Sequence, residues 1–322
     1  MNHAFPRLLG DVGGTSARWA WQAEPGAALT PSATYRCAEF DSVHAVIERF
    51  LRDHQLPRPA ALAFGIATAI TGDAVRMTNL PWAFSIDALR AALGVAHCLV
   101  LNDFEAIANA LSTLADADVR PVGGGAAVAG TPRAVLGPGT GLGVAGLVPG
   151  GAGRLCIVAG EGGHVTLAAG TPREAAVLAQ LQQRFGHASA ERALSGPGLV
   201  NLYDAIGVLD ARPTRTLQPD EVVTGALLGA DPACREALQL FGALLGSEAG
   251  NLALTLGARG GVYLGGGIVP RLGTAFDALP FRERFEAKGR FRSYLERIPT
   301  FVITAPTPAL QGAANALDAL AG

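Results

Sequence analysis

Two stretches of this chain follow one plan. Arg7 to Gln22, RLLGDVGGTSARWAWQ, and Arg133 to Val148, RAVLGPGTGLGVAGLV, each pass from an apolar run through a glycine turn into a second apolar run. Apolar alternation on both sides of a tight glycine loop is the pattern of a β-hairpin. Each half is therefore expected to open with the same hairpin, as an internal duplication of one phosphate-gripping unit would produce. The glycine content permits this: 42 of 322 residues are glycine, against a usual share of about 7%, and they follow no collagen period. Many backbone positions must then take positive φ or lie against something closely.

Around the hairpins, strand and helix signals alternate. Asp41 or Ser42 can cap a helix whose Val43, Val46, Ile47, Phe50 and Leu51 share one face. Ala60 to Ala67 reads as a buried strand, Ser85 caps a helix ending at Gly94, His97 to Leu101 is a strand, and a helix starts at Phe104. In the second half, Thr171, Pro172 and Glu174 supply a cap, a first-turn proline and an N3 carboxylate for a helix stopping at Gly186. Pro232 opens an apolar helix through Leu245, Gly260 to Val269 is a strand entering a glycine turn, and Phe301 to Ala305 is a late strand. Leu310 to Leu320 forms a terminal helix with Leu310, Ala314, Leu317 and Leu320 on one face. This alternation argues an α/β protein. The glycine-rich Arg120 to Arg133 stretch is a candidate boundary.

Several functions are excluded early. A net charge of −2 provides no positive field for nucleic acid or an anionic membrane. The residues up to Asp11 contain no apolar run of signal-peptide length, so a cytoplasmic location is expected. Ala134 to Gly153 is uncharged, but its glycines and prolines make it a hairpin rather than a membrane span. Cys37, Cys98, Cys156 and Cys234 form no C-x-x-C pair and are read as buried, reduced thiols. Lys288 is the only lysine, so there is no G-K-[ST] phosphate loop.

Three glycine loops stand at strand ends. In Asp11-Val12-Gly13-Gly14-Thr15-Ser16, bare amides of Gly13 and Gly14 can wrap phosphate oxygens while Asp11 faces a hydrated Mg²⁺. Gly137 to Gly143 is a second loop, in which Gly139 precedes Thr140, whose hydroxyl can donate to a phosphate. Gly265-Gly266-Gly267 is a third, suited to a nucleotide lying on backbone. Asn102-Asp103-Phe104 places an amide and a carboxylate at a strand end, where open α/β sheets hold ligands. Asp103 is either a base for a hydroxyl proton or the cap of the next helix. Glu161 and His164, three apart in a glycine turn, and Glu191 can partner hydroxyls. Those three would also make a metal set, one that lacks a fourth ligand.

The order of Gly10-Asp11-Val12-Gly13-Gly14-Thr15, Asn102-Asp103-Phe104, Gly137 to Gly143, Gly160 to His164, Ser195-Gly196-Pro197-Gly198 and Gly265 to Pro270 resembles bacterial glucokinases of the group without a zinc-binding cysteine motif. Thr78-Asn79 and Trp82-Ala83-Phe84-Ser85 match as well, and the resemblance spans almost the full length. It implies a two-domain α/β fold like that of actin and hexokinase, with the active site in the cleft between the domains. Residues 1–110, with the helix 307–322 packing back on them, would form the small domain and 111–306 the large one. The implied reaction is ATP-dependent, Mg²⁺-assisted phosphorylation of glucose to glucose 6-phosphate, the entry step of glycolysis. Asp103 would be the catalytic base. Asn79, Asn102, Asp103, Glu161, His164 and Glu191 would hold the sugar. Asp11, Gly13, Gly14, Thr15, Gly139, Thr140, Gly265 and Gly266 would hold the nucleotide and, through Asp11 and water, Mg²⁺, with no direct protein ligand to a metal. A homodimer is compatible with this reading. Ser16 stands where the family usually has asparagine, and Thr307 to Gly312 replaces a more glycine-rich turn. The competing readings are a kinase for another hexose or an amino sugar, and a non-catalytic sugar-sensing or ATP-binding protein.

Overall fold

Strict alternation puts Leu8 and Leu9 on opposite faces of the first strand, β1 (Arg7–Val12), and both are fully buried. A strand covered on both faces must lie inside a layered α/β arrangement. In the computed structural model, which describes residues 5–77, 80–151, 154–213 and 215–321, the chain divides into two compact units. One comprises Met1–Leu114 and Ala305–Gly322, the other Ala115–Thr304.

Among the described residues of the first unit, β1 pairs antiparallel with β2 (Ser16–Gln22), which pairs antiparallel with β3 (Ser32–Arg36). After α1 (Val43–Asp53), β4 (Ala61–Ile66) runs parallel to β1. β5 (Ala74–Arg76) and β6 (Ala83–Ser85) form a small ribbon, then α2 (Ile86–Leu93) leads to β7 (His97–Asn102), parallel to β4. The expected hairpin and helix starts are present: Ser42 Oγ accepts the Ala45 N–H, Ser85 Oγ accepts the Ala88 N–H, and Gly94 ends α2 in the left-handed region. One face of the sheet buries Trp19, Phe64, Ile47 and Phe50, the other Leu9, Ala63, Leu310 and Leu317 of the C-terminal helix Pro308–Ala321. Each fully buried large side chain contributes about 1.5–3 kcal/mol. Gly10 is required by this packing, because a Cβ there would enter the ring of Trp19.

In the second unit β8 (Val119–Pro121) precedes the second hairpin, β9 (Arg133–Pro138) and β10 (Leu142–Pro149). β11 (Leu155–Gly160) pairs antiparallel with β10. The helices α4 (Pro172–Phe185), α5 (Gly196–Leu209), α6 (Pro219–Leu227) and α7 (Pro232–Leu256) follow. β12 (Val262–Leu264) runs parallel to β9, and β13 (Thr300–Ile303) runs parallel to β12 and antiparallel to β8. The sheet orders are β3-β2-β1-β4-β7 and β11-β10-β9-β12-β13-β8. Their first five strands have the same order and the same pattern of parallel and antiparallel pairing, so the two glycine hairpins belong to one architecture built twice.

Four expectations are corrected. The glycine-rich 120–133 stretch lies inside the second unit, where the pairing of β8 with β13 holds its start. The apolar helix from Pro232 continues past Leu245 to Leu256. Gly246 and Gly250 are not stops: a Cβ at either would strike the carbonyl of Phe281 or Phe285, so they let α7 approach the helix Phe281–Glu286. Of the four thiols, only Cys37 and Cys234 are buried, while Cys98 is half-buried and Cys156 lies exposed on edge strand β11. Helix α3 (Asp103–Ala110) begins one residue earlier than expected, for the reason given below. Among the described residues no helix is long and apolar enough to cross a membrane, and the uncharged stretch after Arg133 forms the β9–β10 hairpin.

Candidate active site

In the first unit, the β1–β2 loop closes through backbone, Gly13 N–H donating to Ser16 O at 2.9 Å. Ser16 thus holds the turn with its carbonyl, and its exposed side chain can differ from asparagine without opening it. Cys37 N–H donates to Thr15 O at 2.9 Å, fixing the loop from β3's end. Burial raises the Asp11 carboxyl above its ordinary range, and Arg18, opposite it on β2, pulls it back down.

At the junction of β7 and α3, Asn102 is the N-cap. Its Oδ1 accepts the N–H groups of Phe104 (2.9 Å) and Glu105 (3.4 Å), and its Nδ2 donates to Thr68 O at 3.2 Å. Glu105 Oε2 accepts the Asn102 N–H in return at 3.3 Å, completing a capping box. The cap alternative read for Asp103 is therefore carried by Asn102. Asp103 occupies the first helical position, where its Oδ1 accepts the Phe104 N–H at 2.9 Å. Gly65 at the end of β4 permits this crowding: a Cβ there would stand 3.0 Å from Ala106 Cβ and 3.3 Å from Asp103 Cα. Burial also pushes the Glu105 carboxyl upward, against its bond from Asn102. The Asn102-x-x-Glu105 spacing is the sequence signal of this capping box. Asn79 lies outside the described residues.

In the second unit, two glycine loops meet backbone to backbone. Gly265 N–H donates to Leu136 O (2.9 Å) and Ile268 N–H to Pro138 O (3.2 Å). A Cβ on Gly137 would sit 2.5 Å from Gly265 C, and Gly266, with φ +74°, would collide with Pro138 O. Only glycine fits these positions. Gly139 N–H donates to Gly141 O at 2.8 Å, leaving Thr140 exposed at the tip. Arg271 Nε donates to Gly267 O beside the joined loops.

The turn bearing Glu161 and His164 packs on the same strand start. A Cβ on Gly162 would stand 2.9 Å from Val144 Cβ, and one on Gly163 would strike Leu142 O. Glu161 Oε2 and His164 Nε2 are 3.9 Å apart and both side chains are exposed. Ala190 N–H donates to Val165 O at 2.9 Å, which brings Glu191 to the loop, where its Oε2 accepts the Leu142 N–H at 3.0 Å. The turn that carries Glu161 and His164 and the carboxylate of Glu191 therefore both meet the start of β10. Among the described residues no three His, Cys, Asp or Glu side chains gather as a metal site.

The sequence profile of the glucokinase family matches residues 8–320. A glucokinase of Aromatoleum aromaticum is 54% identical over 99% of this chain and 96% of its own, and one of Chromobacterium violaceum 50% identical over 99% and 91%. Among solved structures, a glucokinase from an Antarctic psychrotroph superposes with a TM-score of 0.87 at 34% identity, covering 98% of this chain and 99% of the other. The fold is the two-domain, actin-like and hexokinase-like ATPase fold. With the profile spanning nearly every residue and relatives half identical over almost the whole chain, this chain belongs to the glucokinase family.

Proposed function

We propose that this enzyme transfers the γ-phosphoryl group of ATP to the 6-hydroxyl of glucose, releasing glucose 6-phosphate and ADP as the entry step of cytoplasmic glycolysis. The family membership supports the reaction, and the two compact units are read as the two domains of the kinase. The observation that carries the mechanism is Asp103 at the carboxyl end of parallel strand β7, with the capping duty on Asn102. Open α/β sheets present catalytic groups at such ends.

In this reading Asp103 takes the 6-hydroxyl proton as that oxygen bonds to the γ-phosphorus and the bond to the β-γ bridging oxygen breaks, the electron pair leaving on ADP. Asn102, Asp103, Glu161, His164 and Glu191 bind the sugar hydroxyls, Asn79 adding a further contact. Gly13, Gly14, Thr15, Gly139, Thr140, Gly265 and Gly266 bind the nucleotide through backbone amides and the Thr hydroxyls. Asp11 fits a hydrated Mg²⁺: it is a hard oxygen donor, and its burial-raised carboxyl is of the kind a nearby cation returns to the ionised form. Mg²⁺ bound with ATP supplies charge compensation for the phosphates.

The test is a coupled assay crossing glucose, other hexoses and amino sugars with ATP, ADP and polyphosphate. Glucose with ATP should give the highest kcat/KM. A higher value for another sugar would reassign the substrate, and the absence of transfer to any sugar would remove the kinase reading.

A further inference from the structure

Ser195-Gly196-Pro197-Gly198 has no part in the chemistry just described, yet with Glu191 it grips the Gly139–Leu142 loop at two points. Gly196 N–H donates to Gly139 O at 2.8 Å, and Glu191 Oε2 accepts the Leu142 N–H at 3.0 Å. Ser195, 2% exposed, joins the two grips: its Oγ donates to Glu191 O at 2.8 Å and accepts the Gly198 N–H at 2.9 Å as the cap of α5. Gly141 makes room for the carboxylate, since a Cβ there would overlap Glu191 Oε2. The strap is thus fixed to the first turn of a helix on one side and to a loop of otherwise bare glycine backbone on the other.

We infer that residues 191–198 couple the sugar site to the nucleotide site, with Glu191 spanning the two and Ser195 as a positioning residue. The inference rests on the reading of Glu191 as a sugar ligand and of the 139–142 loop as a phosphate loop. One carboxylate oxygen, Oε2, is committed to the Leu142 N–H, and Oε1 is the atom that takes a glucose hydroxyl. A hydroxyl bound to Oε1 immobilises the carboxylate, and the loop it holds is then ordered before ATP arrives. A loop already ordered costs the second ligand less conformational entropy. By linkage, the nucleotide must tighten glucose binding by the same factor.

Calorimetric titration of ADP with Mg²⁺, with and without saturating glucose, and of glucose with and without ADP, reads the coupling directly. In the unsubstituted enzyme each ligand should tighten the other by at least ~5-fold. Gly141→Ala puts a methyl where Oε2 lies, and Glu191→Asp is one methylene too short to span both partners. Both should bring the ratio to within about twofold of one, Glu191→Asp also weakening glucose on its own because that carboxylate is a sugar contact. Ser195→Ala should lower the ratio and Ser195→Thr, which keeps the hydroxyl, should retain most of it. A merely structural strap would lower the melting temperature or the fraction of competent protein and leave the ratio unchanged. An unchanged ratio in folded Gly141→Ala and Glu191→Asp overturns the inference. If the unsubstituted enzyme binds both ligands without coupling, the inference fails and the kinase reading stands. If it binds neither, the kinase reading itself fails.

Discussion

Aspartate at the start of a helix has two uses, holding first-turn N–H groups and accepting a proton, and at Asp103 the neighbouring Asn102 carries the N-cap. Asn102 accepts the N–H groups of Phe104 and Glu105, and Asp103 shares the Phe104 N–H through its own Oδ1, a bond an asparagine oxygen can keep, while its charge in the first turn adds about 0.3–1 kcal/mol. Asp103→Asn should therefore melt within about 1 kcal/mol of the parent. Asparagine cannot take the hydroxyl proton, and turnover should fall roughly 10²- to 10⁴-fold with glucose still bound. Asn102→Ala should do the converse to stability, costing about 1 kcal/mol through the lost cap. Melting temperature, glucose affinity and turnover on the same preparations decide it: near-normal turnover in folded Asp103→Asn would withdraw the base assignment.

Among the elements, α4 shows what local spacing can and cannot reveal. Thr171, Pro172 and Gly186 mark its ends in the sequence, and Thr171 Oγ1 accepts the Glu174 N–H as such a cap should. Glu174 itself is 2% exposed and pairs with Arg284, 110 residues further on, while its Oε2 also accepts the Gly170 N–H at 2.6 Å. Burial alone would raise this carboxyl; the bonds from Arg284 and Gly170 outweigh it, and the net shift is downward. A lowered folded-state value means stability that is present above the ordinary carboxyl range and lost as pH falls through the depressed value. Glu174→Gln leaves Arg284 poorly paired and should cost about 3 kcal/mol near neutral pH. The difference should shrink as pH falls below the ordinary carboxyl range, read from urea unfolding at each pH. A constant difference across that fall would mean the pair is not what stabilises the contact. The same boundary explains what was legible. Caps such as Ser42 and Ser85, the hairpins and the glycine loops are written in neighbouring residues. The continuation of α7 through Gly246, the pairing of Glu174 with Arg284 and the meeting of Gly137 with Gly265 depend on what arrives from elsewhere in the chain, and no local window contains it.

At the scale of the whole molecule, the two units keep separate interiors: Trp19, Phe50 and Phe64 pack in the first, Phe241, Phe276 and Phe281 in the second. A ligand raises the stability only of what it binds. The residues assigned to glucose are divided by the chain itself, Asn102 and Asp103 belonging to the first unit and Glu161, His164 and Glu191 to the second. If that assignment holds, glucose must stabilise both. At about 100 times its dissociation constant it contributes about 2.7 kcal/mol, which for units of this size corresponds to a midpoint rise on the order of 5 °C. Differential scanning calorimetry with and without glucose should therefore show every resolved transition moving upward. L-glucose, which presents its hydroxyls in mirror image, should move none of them. A glucose shift confined to one transition would assign the sugar to a single unit and remove either Asn102 and Asp103 or Glu161, His164 and Glu191 from its contacts, depending on which unit the moving transition reports.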